Sequence, residues 1–318
     1  MTGEDIDMFR EREQENKNKR KENICDTHID GAWFFWGKTM EKVKDVKIDI
    51  ERAFYASKEK EFENITIDGP ADGESAFKEC REIEVSNSFF NLRYPFWHNT
   101  NLKFSDSQMT DLCRAALWYD ENVTIDNVKS NGIKALRECK NITMINSEFN
   151  SEEIFWKVNN INVSNSTICG AYAFLMCSDI EIDAVKFKGK YSFQYTKNVH
   201  IVNTVLDTKD AFWHAENVLV ENCEVKGEYL GWYSNNVTFK NCKISGTQPL
   251  CYAKGLKIID CTFENCDLCF EYSEVEGNII GDVVSIKNPM SGSIKISGNT
   301  EFIQDENDRS EGRFTLVK

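Results

Sequence analysis

Asn198-Val199-His200-Ile201-Val202-Asn203, Asn217-Val218-Leu219-Val220-Glu221-Asn222 and Asn236-Val237-Thr238-Phe239-Lys240-Asn241 are one six-residue unit written three times, nineteen residues apart. The unit is Asn, apolar, any residue, apolar, any residue, Asn. Its first apolar residue recurs at Ile83, Leu102, Val123, Ile142, Ile161, Ile180, Val199, Val218, Val237, Leu256 and Val275. The steps are 19, then 21, then 19 throughout. A degenerate unit through Phe62, Asn64 and Ile67 lies upstream, the alternation Val46, Ile48, Ile50 precedes it, and Ile294 stands one more step downstream. A fixed period over so many copies is the mark of a solenoid, in which each repeat stacks on its neighbour in the same register.

Position by position, the repeat reads as strand. Two residues past each anchor stand Val85, Phe104, Ile125, Met144, Val163, Ile182, Ile201, Val220, Phe239 and Ile258, completing the alternation of a half-buried strand. Six before the next anchor runs an aromatic and aliphatic row, Phe54, Phe77, Phe96, Leu117, Leu136, Phe155, Phe174, Phe193 and Phe212, expected inside the coil on a second strand. Five past the anchor the side chains are small, from Ser88 and Ser107 to Cys223, Cys242 and Cys261. Two columns are asparagine or aspartate. Asn accepts left-handed backbone at low cost, and its amide can bond the Asn of the next coil. A leucine-rich horseshoe has a similar period but requires Asn three residues after the second apolar position and a helical return leg; here the interval is two and the return leg has no 3.6-residue pattern. The fold class expected is therefore all-β, a single right-handed parallel β-helix of about a dozen coils. The expected organisation is an N-terminal extension over 1–45, the helix over 46–298 and a C-terminal cap or tail over 299–318. Trp33-Phe34-Phe35-Trp36, with Met40 and Val43, is expected to cover the first coil, and residues 1–23 to be disordered.

The bulk composition narrows the partners. A net charge of −14 and a pI near 4.9 argue against nucleic acid and against a membrane surface, both of which require clustered Lys and Arg. The N-terminus lacks an apolar leader and no stretch is long enough to span a bilayer, so a cytoplasmic location is expected. Twelve cysteines then read as reduced thiols. Cys266-x-x-Cys269 lacks a second ligand pair at metal spacing, with Cys269 placed in the inward column, so no metal and no cofactor are expected.

Several segments carry a family resemblance. Asp68-Gly69-Pro70-Ala71-Asp72-Gly73-Glu74-Ser75, Leu92-Arg93-Tyr94-Pro95-Phe96-Trp97-His98, Cys113-Arg114-Ala115-Ala116-Leu117-Trp118-Tyr119, Gly132-Ile133-Lys134-Ala135-Leu136-Arg137-Glu138, Asp207-Thr208-Lys209-Asp210-Ala211-Phe212-Trp213-His214 and Gly246-Thr247-Gln248-Pro249-Leu250-Cys251-Tyr252 resemble a mainly bacterial β-helix family, domain of unknown function 3737, of the pectin-lyase-like superfamily. The resemblance spans roughly Glu51 to Ile296. It implies the fold and carries over no catalytic residue.

Candidate sites follow from stacking. Coils lie about 4.8 Å apart, so His98 and His214, in one column six coils apart, are roughly 29 Å distant and serve no common site. Three aromatic columns line the return leg: Trp97, Trp118, Trp156, Trp213 and Trp232; His98, Tyr119, Tyr195, His214, Tyr233 and Tyr252; and Tyr94, Tyr172, Tyr191 and Tyr229. A column facing water would suit sugar rings; packing against the wall is the plain alternative. An early cluster, Asp72, Glu74, Arg93, His98, Arg114, Lys134, Arg137 and Glu138, reads as an anion site for a uronate or phosphate, or as a cross-coil ion ladder. A later cluster centres on Asp210, Glu228 and His214 beside Trp213, Trp232 and Tyr233. Its two carboxylates on adjacent coils suit glycosidase chemistry with His214 moving a proton, or merely a Lys209–Glu228 pair. Two functions stay open: a wall that binds or cleaves an acidic or neutral saccharide, and a non-enzymatic scaffold whose aromatic face meets a protein. The sequence leaves the oligomeric state open.

Overall fold

The computed structural model describes residues 42–69 and 74–317. The expected Trp33–Trp36 cap with Met40, the disorder expected over 1–23, and Asp72 lie outside the described residues. The described residues form only strands and turns, without a helix. A first sheet is built from one strand per coil, beginning Lys42–Ile48 and ending Phe314–Val317, joined by fourteen successive parallel pairings. From Ile83 to Leu256 the pairings set like positions side by side, as Ile180 against Val199 and Val199 against Val218. The chain is a right-handed parallel β-helix.

The columns are the core. The anchors, the residues two beyond them and the row from Phe54 to Phe212 are buried. A second sheet, from Phe89–Asn91 through Thr167–Ala171, Lys186–Lys190 and Val205–Lys209 to Lys243–Ser245, adds an inward column that includes Phe90, Phe149, Ile168, Phe187, Leu206 and Val225. The small column works through its polar atoms. Ser88 N–H donates to Ser107 Oγ at 2.9 Å while Ser88 Oγ donates to Ser86 O at 2.6 Å. Cys242 fills the same role, its thiol donating to Lys240 O and its N–H to Cys261 Sγ. All described cysteines are free thiols, and all but Cys169 are buried. Burial pushes the Cys177 thiol up to about 12, as loss of water disfavours the thiolate.

Both asparagine columns turn the chain with left-handed backbone: Asn198, Asn217 and Asn236 have φ of 54–56°, and Asn203, Asn222 and Asn241 of 51–54°. Asn236 Nδ2 donates to Asn217 Oδ1 at 2.8 Å, and Asn217 to Asn198 at 3.2 Å. Where Asp interrupts, it accepts, as Asp179 does from Asn198 at 2.9 Å.

Three expectations are corrected. The row from Phe54 to Phe212 lies on a leg of turns, with two-residue strands only at Phe77–Lys78 and Phe96–Trp97, because alternate residues there have left-handed φ. Phe270, not Cys269, continues that row: its N–H donates to Pro249 O as Leu250 N–H does to Leu230 O, one extra residue having entered the coil. Ile294 is not an anchor. Glu274 pairs with Ser291, so this step is shorter by two and Ile294 pairs with Gly277. Gly292 takes the place beside Val275, where an added Cβ would lie 2.1 Å from the Val275 carbonyl oxygen; an apolar anchor cannot fit.

Candidate functional site

The return leg positions the candidate side chains. Tyr191, Phe193 and Tyr195 all have φ of 56–57°, and Asp210, Phe212 and His214 of 54–60°. Left-handed backbone costs a bulky L-residue about 1–2 kcal/mol, so it persists only where the surroundings over-determine it. Here they do: Tyr191 N–H donates to Lys209 O and Tyr195 N–H to Trp213 O on the next coil, while Phe193 N–H donates back to Ala173 O, at 2.8–2.9 Å. Each coil is clamped to both neighbours, with the phenylalanine buried and the outer tyrosine or histidine exposed.

The exposed column is thus the one through His98, Tyr119, Tyr195, His214 and Tyr233. Tyr195 stacks on His214 at 4.9 Å, His214 on Tyr233 at 5.2 Å and Tyr233 on Tyr252 at 4.9 Å, all within 15° of parallel; Tyr252 and Tyr272 follow at 5.7 Å. Tyr195 and Tyr233 are about half exposed, at 49% and 48%. The tryptophans one residue earlier are half-buried. Trp213 stacks on Trp232 at 5.5 Å, and their indole N–H groups donate to Tyr229 O and Gln248 O. Of the two readings of these columns, sugar-ring faces or packing, the stacked rings turn their faces to one another. The rung spacing nearly equals the stacking distance of aromatic rings, so like rings cover one another and present edges to solvent.

The early cluster is dispersed. Arg93 pairs with Glu74 at 3.0 Å. Arg137 is inserted in the tryptophan column, 5.6 Å from the Trp118 ring and 4.5 Å from Trp156, and shares Glu153 with Lys134. Trp97 stacks on Trp118 and His98 on Tyr119, while Glu138 continues the outward row. Arg114 is exposed and makes no ion pair with any described residue. Arg93 thus meets Glu74 through one guanidinium nitrogen and stays 54% exposed, while Arg137 is held between two indoles.

In the later cluster Asp210 and Glu228 do meet: Asp210 N–H donates to Glu228 O at 2.9 Å. Lys209 holds the Glu228 carboxylate at 2.6 Å and is itself raised in pKa by that bond. Asp210 is only 6% exposed. Its pKa is raised, first by loss of hydration and then by the Glu228 charge, with Lys209 opposing. His214 stands apart, four residues along the leg within the ring stack. Glu271 is taken by Lys287 at 2.9 Å. Open clefts of the described surface lie elsewhere, for example one lined by Phe89, Gln108, Met109, Thr110, Asp111, Lys129 and Asn131.

One buried acid escaped the sequence reading. Asp120 follows Cys80 and Asn99 in an inward row; its Oδ1 accepts the Asn99 N–H at 2.6 Å and its Oδ2 has no partner. Burial raises its pKa well above the usual carboxylate range. A folded-state pKa above the unfolded one stabilises fully below the ordinary Asp value and is lost as pH rises through the folded value. Asp120→Asn is accordingly expected to melt roughly a few degrees above the parent at pH 7, with the gap closing toward pH 4, in thermal melts across that range. A gap independent of pH would contradict this.

Among the described residues no group of three His, Cys, Asp or Glu side chains is placed to hold a metal ion. A family model described as Protein of unknown function (DUF3737) matches residues 41–317, beyond both ends of the resemblance seen in the motifs. No curated protein matches the chain. Solved structures similar to it include the Azotobacter vinelandii mannuronan C-5 epimerase AlgE4 A-module, at 6% identity and a TM-score of 0.35 over 88% of this chain and 91% of that one. The periplasmic alginate epimerase AlgG follows at 8% identity and 0.29 over 88% and 89%, and the Streptococcus pneumoniae surface adhesin PfbA at 11% and 0.23 over 86% and 75%.

Proposed function

The chain belongs to the DUF3737 family, and for this member we propose that the return-leg face binds a saccharide through ring edges and hydroxyls, without cleaving it. The observation that carries the reading is the row Tyr195, His214, Tyr233 and Tyr252, stacked at 4.9–5.2 Å, with Tyr195, His214 and Tyr233 exposed and a tilted Tyr272 following at 5.7 Å. Stacked tyrosines are already ordered, so little side-chain entropy is lost when a ligand engages them. Their hydroxyls and the His214 imidazole repeat about once per coil, matching a long chain rich in hydroxyls better than a compact substrate. Binding without cleavage is favoured because Asp210 is nearly closed to solvent and Glu228 is held by Lys209.

A protein partner is the second reading. Met176 precedes Tyr195 in the outward row and is 51% exposed, and Met with Tyr is common at protein interfaces. A ligand that binds only the folded state raises its melting temperature by mass action. One class of mono- or oligosaccharide is expected to raise the Tm, and the Tyr195→Ala/Tyr233→Ala double variant to lose that rise. No shift with any saccharide at millimolar concentration rejects the proposal. A stable oligomer in light scattering that the same double variant dissolves would instead establish the protein interface.

A further inference from the structure

The protein has 52 acidic residues, yet none falls between Asp183 and Asp207. Within that run lies the second-sheet strand Lys186–Lys190, Lys-Phe-Lys-Gly-Lys, whose Phe187 is buried while Lys186, Lys188 and Lys190 are exposed. On the rest of this sheet face lysines are matched. Lys129 lies 3.7 Å from Glu148, Lys209 2.6 Å from Glu228, Lys226 3.0 Å from Glu224 and Lys243 2.5 Å from Glu264. Lys186, Lys188 and Lys190 make no ion pair with any described residue. The rung on one side of them, Thr167, Cys169 and Ala171, is uncharged; the rung on the other holds Val205, Asp207 and Lys209.

Alternate residues of a strand are about 7 Å apart, within the screening length of about 8–10 Å, so the three ammonium groups repel one another. Asp207, in register beside Lys188, is the one acid on the two adjoining rungs, so the three lysines keep a surplus of positive charge. Their strand adjoins the proposed face: Lys190 leads directly into Tyr191, over whose ring its Nζ lies at 5.6 Å, and Tyr195 on the same coil is the exposed first ring of the stacked row.

We infer that Lys186, Lys188 and Lys190 recognise the acid groups of an anionic saccharide, carboxylated or sulfated, bound at the Tyr195 end of the ring row; this rests on the saccharide reading above. The three lysines supply charge without a fixed fork, suited to acid groups repeated along a flexible chain. Their usual counter-ions are displaced on binding, so the affinity falls with salt.

The test titrates the full chain with three oligosaccharides of equal length: neutral, uronic and sulfated. Either acidic form, or both, is expected to bind about tenfold or more tightly than the neutral one at about 50 mM salt, and to lose most of that advantage at about 300 mM. Lys186→Gln/Lys188→Gln/Lys190→Gln is expected to bring the acidic ligand to the neutral level, and the corresponding triple Arg variant to retain the preference. The tighter of the uronic and sulfated arms identifies the acid group. Equal binding of all three oligosaccharides, or a preference that survives in the Gln variant, overturns the inference and leaves saccharide binding standing. Absence of binding by all three overturns the saccharide reading itself. A single-stranded polynucleotide bound more tightly than any of them, with the same dependence on the lysines, overturns the assigned ligand class.

Discussion

Phe193→Ala lowers the stability of the folded chain by about 3–5 kcal/mol, read as a lower urea midpoint for loss of β-sheet circular dichroism. Phe193 is fully buried and lies in the middle of a four-ring stack, 4.6 Å from Phe174 and 4.9 Å from Phe212, with Phe187 of the second sheet set edge-on at 5.7 Å. Truncation removes the ring's transfer free energy and leaves a cavity. The coils cannot close over it, because the 19-residue stacking fixes the distance between Phe174 and Phe212 through both sheets. Phe193→Leu retains most of the volume and is expected to cost less than half as much. Equal losses in the two variants would mean that the backbone conformation of the leg, rather than the ring stack, sets the stability.

Gly227→Ala is expected to be as damaging, by a different route. Gly227 has φ of +149°, and an added Cβ would stand 1.9 Å from the Thr208 carbonyl oxygen and 2.5 Å from its carbon. These are backbone atoms of the adjoining coil, so relief requires the coils to part. Strain at a glycine-only conformation and overpacking together amount to about 2–6 kcal/mol. Gly281, with φ of +85° and no atom within 4 Å of its added Cβ, provides the control, since Gly281→Ala meets the backbone strain alone. Soluble, parent-like melting of Gly227→Ala would show that the coils slide more freely than the pairings imply.

The fold was legible because stacking turns each column into one environment. Asn198, Asn217 and Asn236 have the same backbone torsion and the same hydrogen bond, so the sequence repeats the residue that meets the need. The second inward column, Phe90, Phe149 and Phe187, was less apparent because Met109 and Ser130 interrupt it. The leg's left-handed phenylalanines and tyrosines run against intrinsic preference, and only the hydrogen bonds to both neighbouring coils account for them. At the face, sequence spacing identified the aromatic rows without the tilt of the rings, which decides between open faces and edges. The cluster with Arg137 suits an anion site or a cross-coil ion ladder in sequence, and spacing alone does not show that the Arg137 cation lies between two indoles. The lysine strand was not apparent, because acid-free runs also occur over 85–105 and 229–259 and the overall charge is −14.

The in-register pairings also determine how such a chain can change length over generations. Duplicating or deleting nineteen residues leaves every ladder, stack and asparagine row matched, so a whole coil is an inheritable quantum of growth. Smaller changes must be absorbed where the wall can deform. The two extra residues between Leu102 and Val123, the irregular pairing between Ile258 and Cys261, and the coil shortened beside Gly292 mark such places. Relatives with longer or shorter walls should therefore differ by whole coils, inherited with their own rung of the outer face, and single-residue insertions should gather at such off-period steps, which also include the 23-residue step from Phe62 to Val85 and the 22-residue step from Gly292 to Phe314.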